Sequence, residues 1–141
     1  MSIQHLAPVA LLIVTMPFVA AAQDADGFHH HRVDSGGVSI HAVSLGDGEP
    51  VVLIHGFPQH WWMWRSVMAD LSDAGYRAIA VDQRGMGGSD IPMADYDKAT
   101  LAGDVLAVMD ALSVEEAAVV GYDHGGGTAL AMAYTAPERI S

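Results

Sequence analysis

The chain has 141 residues, 51% of them hydrophobic, with a mean hydropathy of +0.26, which fits one globular domain with its own core and excludes a disordered segment. Six lysines and arginines face seventeen aspartates and glutamates, a net charge of −11 that excludes nucleic-acid and anionic-membrane partners, because those need clustered cations. With no cysteine, disulfides, thiolate catalysis and cysteine-held zinc are excluded as well.

Residues 6–22 carry no charge, and Ala20-Ala21-Ala22 before Gln23 offers a small-residue cleavage site. Residues 1–22 therefore resemble a secretory signal peptide, although no Lys or Arg precedes the apolar stretch. The stretch is short for a membrane span and Pro8 and Pro17 interrupt it, so no stable membrane partner is expected and the localisation implied is secreted or periplasmic. Residues 23–27 then form an acidic leader, and residues 28–141 the folded part.

Residues 28–33 and 38–44 read as strands joined by Asp34-Ser35-Gly36-Gly37, an antiparallel hairpin at a sheet edge. His29-His30-His31 invites a metal reading, but adjacent strand residues point to opposite faces and no carboxylate stands at ligand spacing, so a structural or solvated cluster is expected and no metal. Val51-Val52-Leu53-Ile54 is apolar at every position, as in a parallel strand covered on both faces, and it ends at His55-Gly56-Phe57-Pro58. Trp64, Val67, Met68 and Leu71 mark a helix face that stops at Gly75. Residues 76–81 form the next strand, which delivers a glycine-rich loop over residues 82–90. No Lys-Ser or Lys-Thr follows its glycines, so this is no phosphate cradle. Asp97 or Thr100 caps a helix through Leu112, with Leu101, Val105, Val108 and Met109 on its inner face. A strand over residues 117–122 leads to a last helix that runs to about Ala136 before Pro137. Strand and helix alternate, which predicts an α/β fold with a mostly parallel sheet and an antiparallel edge hairpin.

Gly121-Tyr122-Asp123-His124-Gly125 joins that last strand to that last helix. Small residues two positions either side of a functional group let the backbone bend sharply enough to expose the central side chain. Aspartate is ionised near neutrality and attacks carbon without a base, and the following helix aims its positive end at the carboxylate. The turn therefore reads as a nucleophile elbow over residues 121–125 with Asp123 as an ester-forming nucleophile. The alternative from the same residues is a plain strand-to-helix connection with Asp123 as N-cap.

Three separated motifs, His55-Gly56-Phe57-Pro58 with Trp64-Arg65, Asp82-Gln83-Arg84-Gly85-Met86-Gly87-Gly88-Ser89, and Gly121-Tyr122-Asp123-His124-Gly125-Gly126, together resemble the α/β-hydrolase superfamily in its epoxide hydrolase and haloalkane dehalogenase branch. The resemblance covers about residues 33–140. It implies that Asp123 forms an alkyl-enzyme ester and that the backbone N–H groups of Phe57 and His124 hold the oxyanion when water attacks that ester. It also implies a cis Phe57–Pro58 bond aiming the Phe57 amide. His55, Gly56, Pro58, Gly121 and Gly125 are then supporting residues, with His55 orienting the loop and Asp82 and Arg84 bracing their turn. No cofactor is implied.

The chain departs from the family in two respects. Tryptophan commonly follows the nucleophile and binds halide in dehalogenases, where this chain has His124. Fluoroacetate dehalogenases carry arginines where His124 and Gly127 stand. The first departure lowers the haloalkane reading and the second disfavours a carboxylate substrate, so the substrate expected is small, neutral and largely apolar. The late catalytic histidine, its acidic partner, the cap and the C-terminal half of such enzymes have no counterpart here, and none of Tyr76, Tyr96, Tyr122 or Tyr134 matches a cap tyrosine. The expected protein is the N-terminal part of an epoxide-hydrolase-like hydrolase, inactive in turnover as 141 residues, with an unpaired sheet edge open to self-association. The alternatives are a haloalkane-type dehalogenase or a truncated non-catalytic fragment.

Overall fold

The computed structural model describes residues 21–23 and 26–141. The candidate signal peptide lies outside the described residues except for Ala21 and Ala22, as do Asp24 and Ala25 of the leader. Among the described residues six strands, β1 (Ala21–Gln23), β2 (His29–Ser35), β3 (Val38–Leu45), β4 (Glu49–Ile54), β5 (Tyr76–Val81) and β6 (Ala118–Gly121), form one sheet in the order β1-β2-β3-β5-β4-β6. β4 runs parallel to both β5 and β6, while β1, β2 and β3 add antiparallel strands at one edge. β2, β4, β5 and β6 consequently point the same way.

The apolar runs of β4 and β5 feed both faces of the sheet because successive strand side chains alternate. Val52, Ile54, Ile79 and Val81 pack with Val105, Val108 and Met109 of α2 (Lys98–Ala111) and with Met132 of α3 (His124–Thr135). Val51, Leu53, Ala78 and Ala80 pack on the other face with Phe28, Trp61 and Met68, the last carried by α1 (Arg65–Asp73). Each fully buried Val, Leu, Ile, Phe or Met among them contributes about 1.5–3 kcal/mol.

A 3-10 turn over Trp61–Trp64 precedes α1, so the helix begins one residue later than its apolar spacing predicts. Val67, expected on the inner face, is 38% exposed, because this short helix sends only Met68 fully into the core. Gly75, with φ +87, ends the turn after α1. Asp97 caps α2: its side chain accepts from the amides of Ala99 and Thr100, each at 3.0 Å, and from the Thr100 hydroxyl at 2.6 Å. Arg84 then ties the loop after β5 to α2, with Nε and Nη2 at 2.6 and 2.7 Å from the two carboxylate oxygens of Asp104, both side chains buried.

Candidate active site

β4 and β6 are adjacent and parallel, with Ile54 opposite Gly121, so the loops leaving their carboxyl ends meet. The amide of Tyr122 donates to the Ile54 carbonyl at 3.0 Å and continues that ladder to the edge of the turn. Asp123 follows with φ 50 and ψ −115, a region that costs a non-glycine residue about 1–3 kcal/mol and persists only where the surroundings enforce it. The enforcement is steric. A Cβ on Gly121 would lie 2.4 Å from the Gly125 carbonyl oxygen, and one on Gly125 would lie 2.3 Å from that of Ile54. Only glycine at both positions lets α3 start so close to β4.

The exposed Asp123 side chain makes no capping bond to α3. Its Oδ1 instead accepts from the Phe57 amide at 3.0 Å. That amide first, and the His124 amide after it, hold the carboxyl below the usual carboxylate range, so the group is an anion throughout the neutral range. The Phe57–Pro58 peptide is cis. Gly56 is the other close neighbour: a Cβ there would lie 2.7 Å from Asp123 Cβ. His55, Gly56, Phe57, Pro58, Gly121, Asp123, His124 and Gly125 thus lie on two facing loops.

His55 is fully buried, and its hydrogen bonds define its state. Its Nε2 accepts from the Gln83 amide at 3.0 Å, so Nδ1 carries the proton and donates to the Gly56 carbonyl at 2.8 Å. Burial holds its pKa below the ordinary value against the opposing pull of the Gly56 carbonyl and Asp82. A neutral ring with both nitrogens engaged orients the loop and has no lone pair left to act as a base. The Gln83 side chain closes the network, donating to the His55 carbonyl at 2.8 Å and accepting from the Thr128 hydroxyl at 2.7 Å. One chain of hydrogen bonds therefore links the ends of β4 and β5 to α3.

Asp82 braces the same region from below. Burial alone would raise its pKa, but His41 at 2.7 Å, the Gly88 amide at 2.8 Å and the Trp61 amide at 2.6 Å more than offset this and hold it low. His41 in turn meets His30 Nδ1 at 2.9 Å and stacks on its ring. His31 turns to the other face, buried, with Nε2 2.8 Å from the Ser44 hydroxyl. The histidine run is thus shared between two internal networks.

Two participants have no local sequence signature. Thr128 is one. The other is Lys98, whose Nζ lies 2.9 Å from the His124 carbonyl oxygen and 3.0 Å from His124 Nδ1, 26 residues away along the chain. Grooves lined by Asp110, Ser113, Glu115 and Arg139, and by Glu49, Tyr76 and Ala118, lie at the amino ends of the strands, away from Asp123. In open α/β sheets the chemistry sits at the carboxyl ends, where Asp123 and Phe57 are.

A family model described as alpha/beta hydrolase fold matches residues 49–141. A soluble epoxide hydrolase of Corynebacterium sp. (strain C12) is 41% identical over 105 residues, covering 74% of this chain and 36% of the relative. Epoxide hydrolase B of Mycobacterium tuberculosis is 40% identical over 118 residues, covering 79% and 33%. Among solved structures, an epoxide hydrolase from Vigna radiata superposes with a TM-score of 0.77 at 35% identity, over 80% of this chain and 37% of that one. The chain spans about a third of the length of these curated relatives.

Proposed function

Because the chain belongs to the alpha/beta hydrolase fold family, and its relatives include several epoxide hydrolases, we propose that it carries the ester-forming half of an epoxide-hydrolase-like reaction, with Asp123 as nucleophile. The observation that carries this reading is the contact of 3.0 Å between the Phe57 amide and Oδ1 of an exposed aspartate at positive φ. With Oδ1 held, Oδ2 attacks a ring carbon of a small, neutral, largely apolar epoxide. The carbon–oxygen bond breaks, its electron pair stays on the departing oxygen, and an alkyl ester of Asp123 results.

Oδ1 then becomes the ester carbonyl oxygen. Water attacking that carbonyl would place negative charge on Oδ1, where the Phe57 amide already lies at 3.0 Å, and donors aimed in advance at developing charge are the largest single source of such catalysis. His55 has both nitrogens engaged and His124 Nδ1 faces Lys98, so neither offers a free lone pair toward the ester. The ester is therefore expected to accumulate on this chain and not to turn over.

Incubation with styrene oxide, followed by proteolysis and mass spectrometry, tests the reading. One adduct on the peptide containing Asp123, absent from Asp123→Asn, is expected. An adduct that survives Asp123→Asn, or diol formation with no acyl adduct and no label entering Asp123 from heavy-oxygen water, would sink it.

A further inference from the structure

Gln59 closes the turn that carries Phe57: its backbone amide donates to the Gly56 carbonyl at 2.9 Å. The side chain is half-buried, and its Oε1 is sealed from solvent with no hydrogen-bond partner among the described residues. The surroundings of Gly56 show where that oxygen points. A Cβ on Gly56 would lie 3.0 Å from Gln59 Oε1, 3.0 Å from Asp123 Oδ1 and 2.7 Å from Asp123 Cβ. The unpaired acceptor and the carboxylate oxygen therefore flank one small space, which glycine alone leaves open.

An amide oxygen shut away from water forfeits its hydrogen bond, and one turned toward an anion is repelled as well. Nε2 is not enclosed in this way, so the side chain presents its acceptor to the carboxylate side and its donor to solvent. The two ends of the amide are nearly isosteric, and a half-turn about the last side-chain bond exchanges them without moving any other atom. The exchange gives the anion a donor and returns the oxygen to water. We infer that Gln59 turns its Nε2–H toward Oδ1 of Asp123, as a side-chain donor beside the backbone amide of Phe57.

The hydrogen bond belongs to the resting carboxylate, whereas its catalytic consequence rests on Asp123 being the nucleophile. Both donors gather on Oδ1 and leave Oδ2 bare for the ring carbon. Once the ester has formed, Oδ1 is its carbonyl oxygen. A nucleophile adding to that carbonyl carbon sends the electron pair of the double bond to Oδ1, where the Gln59 and Phe57 N–H groups hold it. Gln59 keeps its proton throughout, so the role needs no base.

Titration of the Asp123 carboxyl carbon by 13C NMR tests the contact. Gln59→Met keeps the length of the side chain without its donor, and it leaves in place the titratable or charged neighbours of Asp123, which are His124 on α3 and Lys98 on α2. Loss of a donor to the anion should raise the Asp123 midpoint by about one pH unit, whereas loss of a facing oxygen would lower it. An unchanged or lowered midpoint overturns the inference. The parent chain gives a second reading at neutral pH: one Gln59 side-chain N–H proton should resonate downfield and exchange slowly, and both features should vanish in Asp123→Ala. Side-chain protons that exchange as fast as those of free glutamine overturn it equally. For the catalytic consequence, the ester left on Asp123 by styrene oxide is released with hydroxylamine, and Gln59→Met should slow that release at least about tenfold. Release at the parent rate removes Gln59 from the oxyanion site. Should styrene oxide form no ester at all, the nucleophile reading and this consequence fail together, while the titration and the proton spectra still decide for or against the hydrogen bond.

Discussion

The amide nitrogen of Phe57 lies 3.0 Å from Oδ1 of Asp123, although 66 residues separate them. The contact exists because β4 and β6 are neighbours that end in step, at Ile54 and Gly121, and because both chains then turn toward each other. For the proposed reaction this contact amounts to preorganisation. The donor that steadies the resting carboxylate is the donor an oxyanion would need, so no group has to move to meet the charge.

Gly56 is the point at which this arrangement is most sensitive. In Gly56→Ala the new methyl would lie 2.7 Å from Asp123 Cβ and 3.0 Å from Oδ1, so the carboxylate must shift. A displacement near 1 Å costs up to about a hundredfold in rate, and alkylation of Asp123 should fall at least tenfold by the same principle, roughly and without a matching loss of stability. Alkylation by styrene oxide and urea denaturation, measured on the same variant, check this. A variant that alkylates at the parent rate would show that the Gly56–Asp123 approach does not position the nucleophile.

The pH dependence of alkylation follows from the same contacts. The Phe57 amide, then the His124 amide, depress the Asp123 pKa. A depressed carboxyl stays ionised, and able to attack, above its folded value, and loses that ability only as pH falls through it. That value lies below the roughly 3.9 of a free aspartate, so the rate should be level from about pH 8 to about pH 5 and halve only below about pH 3.9. Stopped-time adduct measurements across that range decide it. A midpoint near neutrality would assign the attack to a different group.

The features legible in the sequence are those with a local period or a local partner. Four consecutive apolar residues, Val51 to Ile54, bounded by turn residues match a strand covered on both faces, and the glycines at 121 and 125 sit at fixed offsets from Asp123. The cap of α2 by Asp97 spans three residues and was equally readable beside its rival Thr100, whose hydroxyl turns out to donate to Asp97. Val67 misled because the heptad-like spacing marks a face but not how much of a short helix the core covers. Lys98 with His124, and Gln83 with Thr128, were illegible for a different reason: they lie 26 and 45 residues apart, and only the packing of α2 and of the loop after β5 against α3 brings them together.

His31 predicts an acid-sensitive fold. Desolvation chiefly, helped by Arg77, lowers its pKa to about 4, and its Nδ1 is buried with no hydrogen-bond partner among the described residues. The unfolded chain binds that proton near pH 6.5 and the folded chain does not until about pH 4, so this contribution is fully present above the unfolded value and is lost as pH falls between the two. At about 1.4 kcal/mol per pH unit the loss reaches roughly 3 kcal/mol at most. Urea denaturation near pH 7 and near pH 5 should show the decline, and His31→Gln, which has no such proton to take up, should flatten it. An equally steep decline in His31→Gln would move the sensitivity elsewhere.

The Arg84–Asp104 pair predicts a loss of stability at a distance from Asp123. Arg84 grips both carboxylate oxygens, and its Nη1 donates at 3.0 Å to the carbonyl of Asp95, a residue held at φ 68. With both side chains at 6% exposure or less, Asp104→Ala would leave a guanidinium desolvated and unanswered, a defect that typically costs about 3–5 kcal/mol. Replacing both members, Arg84→Met with Asp104→Leu, removes the stranded charge and should recover most of that loss, because a buried ion pair gains little over packed apolar side chains. Urea midpoints for the single and double variants separate these outcomes. A single variant that loses less than about 1 kcal/mol would mean that water reaches Arg84 and that the loop after β5 is held by Asp82 and Gln83 alone.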